Sequence, residues 1–200
     1  MTLKEFLNSN WFRAWMMVVF LIFISLSYTT FTTIHELGHA LLCILYGSKD
    51  VTISGSGTNC DPHPTNLMFT ICGFAGGLTS AATALLTWKI LRKKIPRWKH
   101  TITQLFIPIG IYELLNGIIE GSTMTIYKAF MKIDKISLII LLMNLILFST
   151  TYYYKKEDIK KEAKNLLTRK NKKKDYMLLI LLALILLASA LIWDTPITIK

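Results

Sequence analysis

Residues 11–46 read WFRAWMMVVFLIFISLSYTTFTTIHELGHALLCILY, an apolar run interrupted by Arg13 at its start and by His35, Glu36 and His39 near its end. As one helix rising 1.5 Å per residue it would extend about 54 Å, well beyond the roughly 30 Å of a bilayer's hydrocarbon core. Either it crosses once, tilted or protruding, or it breaks near Ser25–Thr33 and crosses twice. The second case would change only the side on which the N-terminus lies. Its length and composition decide the fold class, because few soluble folds can hide such a segment.

The rest of the chain agrees. The 200 residues are 52% hydrophobic and 18% charged, with a mean hydropathy of +0.45, whereas soluble domains run near a quarter charged. A disordered chain, a disulfide-rich secreted module and a soluble globular domain are excluded on that balance. Further apolar runs occupy about 67–91, 101–120, 136–154 and 176–193, each near the roughly 20 residues a span needs. Trp11, Trp15, Trp88, Trp98, Tyr152 to Tyr154, Tyr176 and Trp193 mark their ends, as interfacial aromatic belts do. The expectation is an all-α polytopic membrane protein of about five transmembrane helices. Residues 1–200 form a single integral membrane domain, with its functional core at about 11–125. No small-residue cleavage site follows the first apolar run, so it reads as an uncleaved anchor.

The net charge of +11 first raises nucleic acid as a partner, but the placement of the charges answers differently. With the N-terminus inside and five spans, the inner loops receive Lys4 and Arg13, six basic residues from Lys89 to Lys99, and ten from Lys155 to Lys174. The outer segments receive only Lys49, Lys128, Lys132, Lys135 and Lys200. This is the positive-inside pattern. The basic loops therefore belong in the cytoplasm beside lipid headgroups, and no nucleic acid is implied. Within 155–175, Ile159, Ala163, Leu166 and Leu167 recur at helical spacing among lysines, which predicts a short basic amphipathic helix on the inner leaflet. Richness in Lys and Ile points to a prokaryotic cell membrane.

Chemistry is concentrated in His35-Glu36-Leu37-Gly38-His39. Residues four apart share a helix face, so both imidazoles can bind one Zn2+ ion, with Glu36 beside them as general base for the attacking water. Ionisable groups inside an apolar helix are costly and need a partner. Ser25, Tyr28 or Thr29, Thr32, His35 or Glu36, His39 and Cys43 continue one polar stripe, which is either a water route or a line of interhelical contacts. A two-histidine zinc site needs a third protein ligand. In the interior of the spans the remaining acids are Glu113 and Glu120, seven apart on the third span with Asn116 and Gly117 between them. Glu120 lies as far from His100 in sequence as His35 does from Trp15, so their depths match, and Glu120 is the expected metal ligand. Glu113, about 10 Å deeper, is the alternative, and Asp134 or Asp194 are remoter ones. Asn116 is expected to orient a ligand or bind substrate backbone.

The second span carries Gly73, Gly77 and Ala81 at intervals of four. It reads as a small-residue wedge without chemistry of its own. Pro108 should kink the third span. Between the first two spans, Asp50 to Ser54 alternates like a short strand before a Gly55-Ser56-Gly57 turn, and its edge could pair with an unwound substrate segment. Cys43, Cys60 and Cys72 form no disulfide framework, with Cys43 expected as core packing. Cys60, Asp61 and His63 read as an ordinary turn and not as a second metal site.

A zinc-binding HELGH in a membrane helix, a short strand loop, a Gly-rich helix at Gly73-Phe74-Ala75-Gly76-Gly77 and a third carboxylate-bearing helix resemble the site-2-protease-like intramembrane zinc metalloproteases. The resemblance covers about residues 15–125. It implies His35 and His39 as zinc ligands and Glu36 as catalytic base. The family's third ligand is an Asp in an Asp-Gly stretch that this chain lacks; Asn116-Gly117 and Glu120-Gly121 stand in that helix instead. The implied function is a membrane-embedded zinc metallopeptidase that hydrolyses peptide bonds of a membrane-protein or membrane-associated substrate through zinc-activated water. The alternatives are a catalytically inactive metal-binding membrane regulator and a small cation transporter.

Overall fold

The computed structural model describes residues 3–54, 57–61, 66–123, 133–168 and 197–199. Helix α1 (Leu3–Ser25) continues through a π-helical turn (Leu26–Phe31) directly into α2 (Thr32–Leu45). Backbone angles at both junctions are right-handed helical, φ −61° and ψ −45° at Ser25 and φ −65° and ψ −42° at Thr32. The long first segment is therefore one continuous helix, with Trp15–Leu45 as a single candidate span. Thr29 Oγ1 donates to the Ser25 carbonyl, Thr33 Oγ1 to Thr29 and Thr32 Oγ1 to Ser27, five residues back. These hydroxyls bond the carbonyls of their own helix.

After α2, Gly47 takes φ +88°, a left-handed backbone suited to glycine at a helix end. The chain then forms a hairpin, β1 (Asp50–Ser54) and β2 (Gly57–Asp61), paired from Asp50 with Asp61 to Ser54 with Gly57. A third strand, β3 (Ile197–Ile199), pairs antiparallel with the other edge of β1, giving the order β2-β1-β3. The expected β-like loop is thus a small three-stranded sheet. The third strand was not foreseen; its only signal is the alternation Ile197-Thr198-Ile199.

Helix α3 (Asn66–Lys94) returns along α2 and ends before Pro96, with Arg92, Lys93 and Lys94 in its last turn, where positive charge suits the helix dipole. A 3-10 turn (Pro96–Trp98) leads into α4 (Lys99–Thr123), which contains Pro108 without interruption of the helix. Among the described residues, three helical segments, Trp15–Leu45, Ile71–Lys94 and Pro96–Gly121, are long and apolar enough to cross a membrane, which marks the chain as a membrane protein. The expected span 136–154 lies in α5 (Ile133–Thr168); 176–193 lies outside the described residues.

The region 155–175 departs from expectation. Through Thr168 it is the unbroken continuation of α5 and not a separate surface helix. Ile159 and Ala163 are fully buried. Glu162 receives the backbone N–H groups of His100 and Thr101 at 2.9 and 3.0 Å and the Thr101 hydroxyl at 2.9 Å. A carboxylate at the start of α4 satisfies donors that a helix leaves unpaired and meets the positive end of its dipole. That docking, and not lipid, takes up the buried side of this stretch.

Two cores result. At the Trp98 end, Val19, Phe23, Leu26, Ile102, Leu105, Phe106, Ile109 and Phe148 pack together. At the other end, Ala40, Cys43, Val51, Ile53, Cys60 and Cys72 pack beneath the hairpin. Toward this second end, α3 and α4 touch backbone to backbone. A methyl group on Gly117 would lie 2.7 Å from the Gly77 Cα, and one on Gly73 would lie 2.9 Å from the Gly121 Cα. The expected small-residue seam is present, and it brings α4 close enough to present its carboxylates to α2.

Candidate metal centre

The imidazoles of His35 and His39 lie side by side on α2, with ring centroids 4.7 Å apart. Gly76 of α3 faces them. A methyl group there would come within 2.6 Å of His35 Nε2 and 2.5 Å of His39 Nε2, so this position must be glycine for α3 to pack where it does. From α4, Glu120 Oε2 lies 2.8 Å from His35 Nε2 and 3.4 Å from His39 Nε2. These three residues form a group with one ligand atom each, all within 4.8 Å of one another. It is the arrangement expected for Glu120, and depth matching along the helices is what made it legible.

The far side of each ring fixes its chemistry. His39 Nδ1 lies 2.6 Å from the Cys72 carbonyl oxygen. A carbonyl only accepts, so Nδ1 carries the hydrogen. His35 Nδ1 lies 3.0 Å from Glu113 Oε2, which also receives the Ser80 hydroxyl at 2.7 Å. If His35 Nδ1 likewise donates, to the Glu113 carboxylate, neutral rings would turn their Nε2 lone pairs toward the Glu120 carboxylate. Lone pairs facing a carboxylate oxygen repel unless a cation or proton lies among them. Metal-bound histidines characteristically donate their other ring N–H to a carboxylate or carbonyl in this manner. Two nitrogens and one carboxylate oxygen also match the donor types of catalytic zinc sites with an open position. The residues present fit a bound divalent metal.

Glu113, the alternative ligand, is buried behind His35 and not beside the Nε2 atoms. Asn116 Nδ2 donates to Glu120 Oε1 at 3.2 Å, the orienting role expected of it. The side chains of Asp134 and Asp194 lie outside the described residues. Glu36 is not one of the three converging ligands. Its backbone carbonyl and its Oε2 both lie 2.9 Å from Thr58 Oγ1 on β2.

Two expectations are corrected. The second span is more than a wedge, since Ser80 and the Cys72 carbonyl hold the groups around the imidazoles. The cysteines are not merely packing either. Cys43 and Cys60 form a disulfide, with Cys72 free beside it. Spacing along the chain could not show this, because the hairpin folds back over the end of α2 and carries residue 60 onto residue 43. The pairing also uses the cysteine of the Cys60, Asp61 and His63 turn; His63 lies outside the described residues. Thr58 escaped sequence reasoning, as a lone threonine in a short polar strand gives no signal.

The chain is thus a helical membrane protein with a two-histidine, one-carboxylate group at one end of its bundle, in which His35 is buried and His39 and Glu120 are partly exposed. Comparison with family models, curated proteins and solved structures gives no match to this chain.

Proposed function

We propose that this protein is a membrane-embedded zinc metallopeptidase that cleaves peptide bonds within or next to the bilayer. The observation that carries this reading is the orientation of both Nε2 atoms toward Glu120 Oε2 while both Nδ1 atoms are engaged behind. His35, His39 and Glu120 would hold the zinc. The chemistry zinc supplies when bound there is Lewis acidity toward the scissile carbonyl and toward water.

The chain's own residues do the rest. Glu36 accepts the proton of the attacking water and returns it to the leaving amine, a role open to a carboxylate next to the ligands but outside their set. Glu113, held by Ser80, keeps the His35 ring turned outward, and the Cys72 carbonyl does the same for His39. The place of the group near the end of apolar, membrane-length helices suits a substrate segment presented at or next to the bilayer, so a membrane-protein or membrane-associated peptide is the substrate class. A regulator would need no base between its two histidines, and a transporter would need its ion to leave. The charge asymmetry together with a disulfide beside the site supports an oxidising, extracytoplasmic location for this end.

The test is zinc content and peptide hydrolysis of the detergent-purified protein. Wild type should hold one zinc, His39→Ala less than a tenth of that, and Glu36→Gln full zinc with hydrolysis lowered on the order of 1,000-fold. Equal zinc loss in the last two variants would contradict the role of Glu36. Sidedness is tested by an Asn165→Cys variant, which an impermeant thiol reagent should leave unlabelled in intact cells; labelling would reverse the topology.

A further inference from the structure

The residues that tie β2 to α2 sit on matched faces. Thr58 and Cys60, two apart on a strand, point the same way. Glu36 and Cys43, seven apart, share a face of α2 two turns long. Thr58 meets Glu36 and Cys60 meets Cys43. The strand is therefore fastened at two points, one a hydrogen bond to the proposed base and one covalent. A third sulfur stands beside the covalent point, with Cys72 Sγ 3.8 Å from Cys43 Sγ. Cys72 is also the residue whose carbonyl holds His39. Cys43, Cys60 and Cys72 are all buried, so the three sulfurs are shielded together from bulk thiols.

The geometry points to a thiol–disulfide relay in which Cys43 exchanges between Cys60 and Cys72, fastening or releasing the strand that holds Glu36. Its regulatory consequence rests on the peptidase reading; the exchange itself does not. The Cys72 thiol loses its proton and attacks Cys43 Sγ. The Cys43–Cys60 bond breaks as the Cys43–Cys72 bond forms, and Cys60 leaves as a thiolate that takes up the proton Cys72 gave up. One disulfide and one thiol are present before and after, so no oxidant or reductant is consumed. In the first state the hairpin is locked to the helix of the histidines and Thr58 is held on Glu36. In the second, α2 is locked to α3 and β2 keeps only its hydrogen bonds.

The experiment uses the full chain in detergent, equilibrated with a mixture of reduced and oxidised glutathione, then quenched, alkylated in denaturant and mapped by peptide mass spectrometry. Wild type should give both Cys43–Cys60 and Cys43–Cys72 peptides, and Cys60→Ser should give Cys43–Cys72 as its main product. Hydrogen exchange should be at least tenfold faster over 57–61 in Cys60→Ser than in Cys72→Ser, which can form only the first bond. Absence of the Cys43–Cys72 peptide from both wild type and Cys60→Ser overturns the relay. Equal exchange over 57–61 in the two variants overturns its coupling to the strand. These readouts need neither metal nor substrate. A relay that operates in a chain showing no peptide hydrolysis would refute the peptidase reading and leave the relay standing.

Discussion

The two ends of the bundle are built from the same helices and hold together by opposite means. At the Trp98 end, Trp15 and Trp98 stack with centroids 5.2 Å apart and Phe23 and Phe148 with centroids 4.3 Å apart, within a cluster of aliphatic side chains. Contacts of that kind are non-directional, and similar volumes substitute for one another. At the metal end the helices meet through glycine backbones, and the space so freed holds a connected polar group from Ser80 through Glu113 and His35 to Glu120 and Asn116. The hydrogen bonds of that group are directional, and each buried polar atom in it depends on its partner. One end supplies adhesion and tolerates change. The other fixes positions and does not.

That contrast is broken or sharpened by substitution. The largest effect is expected at Glu120. Glu120→Gln should strip zinc and hydrolysis together, measured as metal per chain after dialysis, whereas full retention would remove α4 from the site. Gly76→Ala comes next. It adds one methyl group against both Nε2 atoms, and zinc affinity measured by chelator competition should fall at least about 100-fold, beyond what loss of a supporting contact costs. Unchanged affinity would show that α3 is free to retreat. Glu113→Gln should weaken zinc by roughly 10–100-fold, as expected for the group behind a ligand; complete loss would make Glu113 the ligand and place the site deeper. At the apolar end, Ile109→Val removes one methyl group from a fully buried site. It should cost about 0.5–1.5 kcal/mol in denaturant unfolding and leave zinc content unchanged. A change in zinc would mean that the two ends are mechanically coupled.

The same division explains what could be read in advance. The apolar runs, the aromatic ends and the two-histidine spacing are local in sequence, so composition and helical period reveal them. Span limits of 67–91 and 101–120 fall within α3 and α4 for that reason. Glu120 was also legible, since few intramembrane carboxylates exist and helix rise sets their depth. The Cys43–Cys60 bond, the Thr58 contact to Glu36 and the third strand join residues far apart along the chain. Nothing in the local pattern of either partner announces the other.

By itself, then, the sequence determined a membrane-type helical chain, the two-histidine helix and the two carboxylates, Glu120 and Glu113, from which its partner is drawn, because periodicity and the cost of buried charge act within single helices. Only the tertiary structure decided that Glu113 stands behind His35, that Ser80 and the Cys72 carbonyl set the rings, that Glu162 closes the start of α4, and that a hairpin is fastened over Glu36. Those choices depend on which faces the glycine seam and the returning hairpin bring together. Close packing in three dimensions settles that, and no spacing along the chain encodes it.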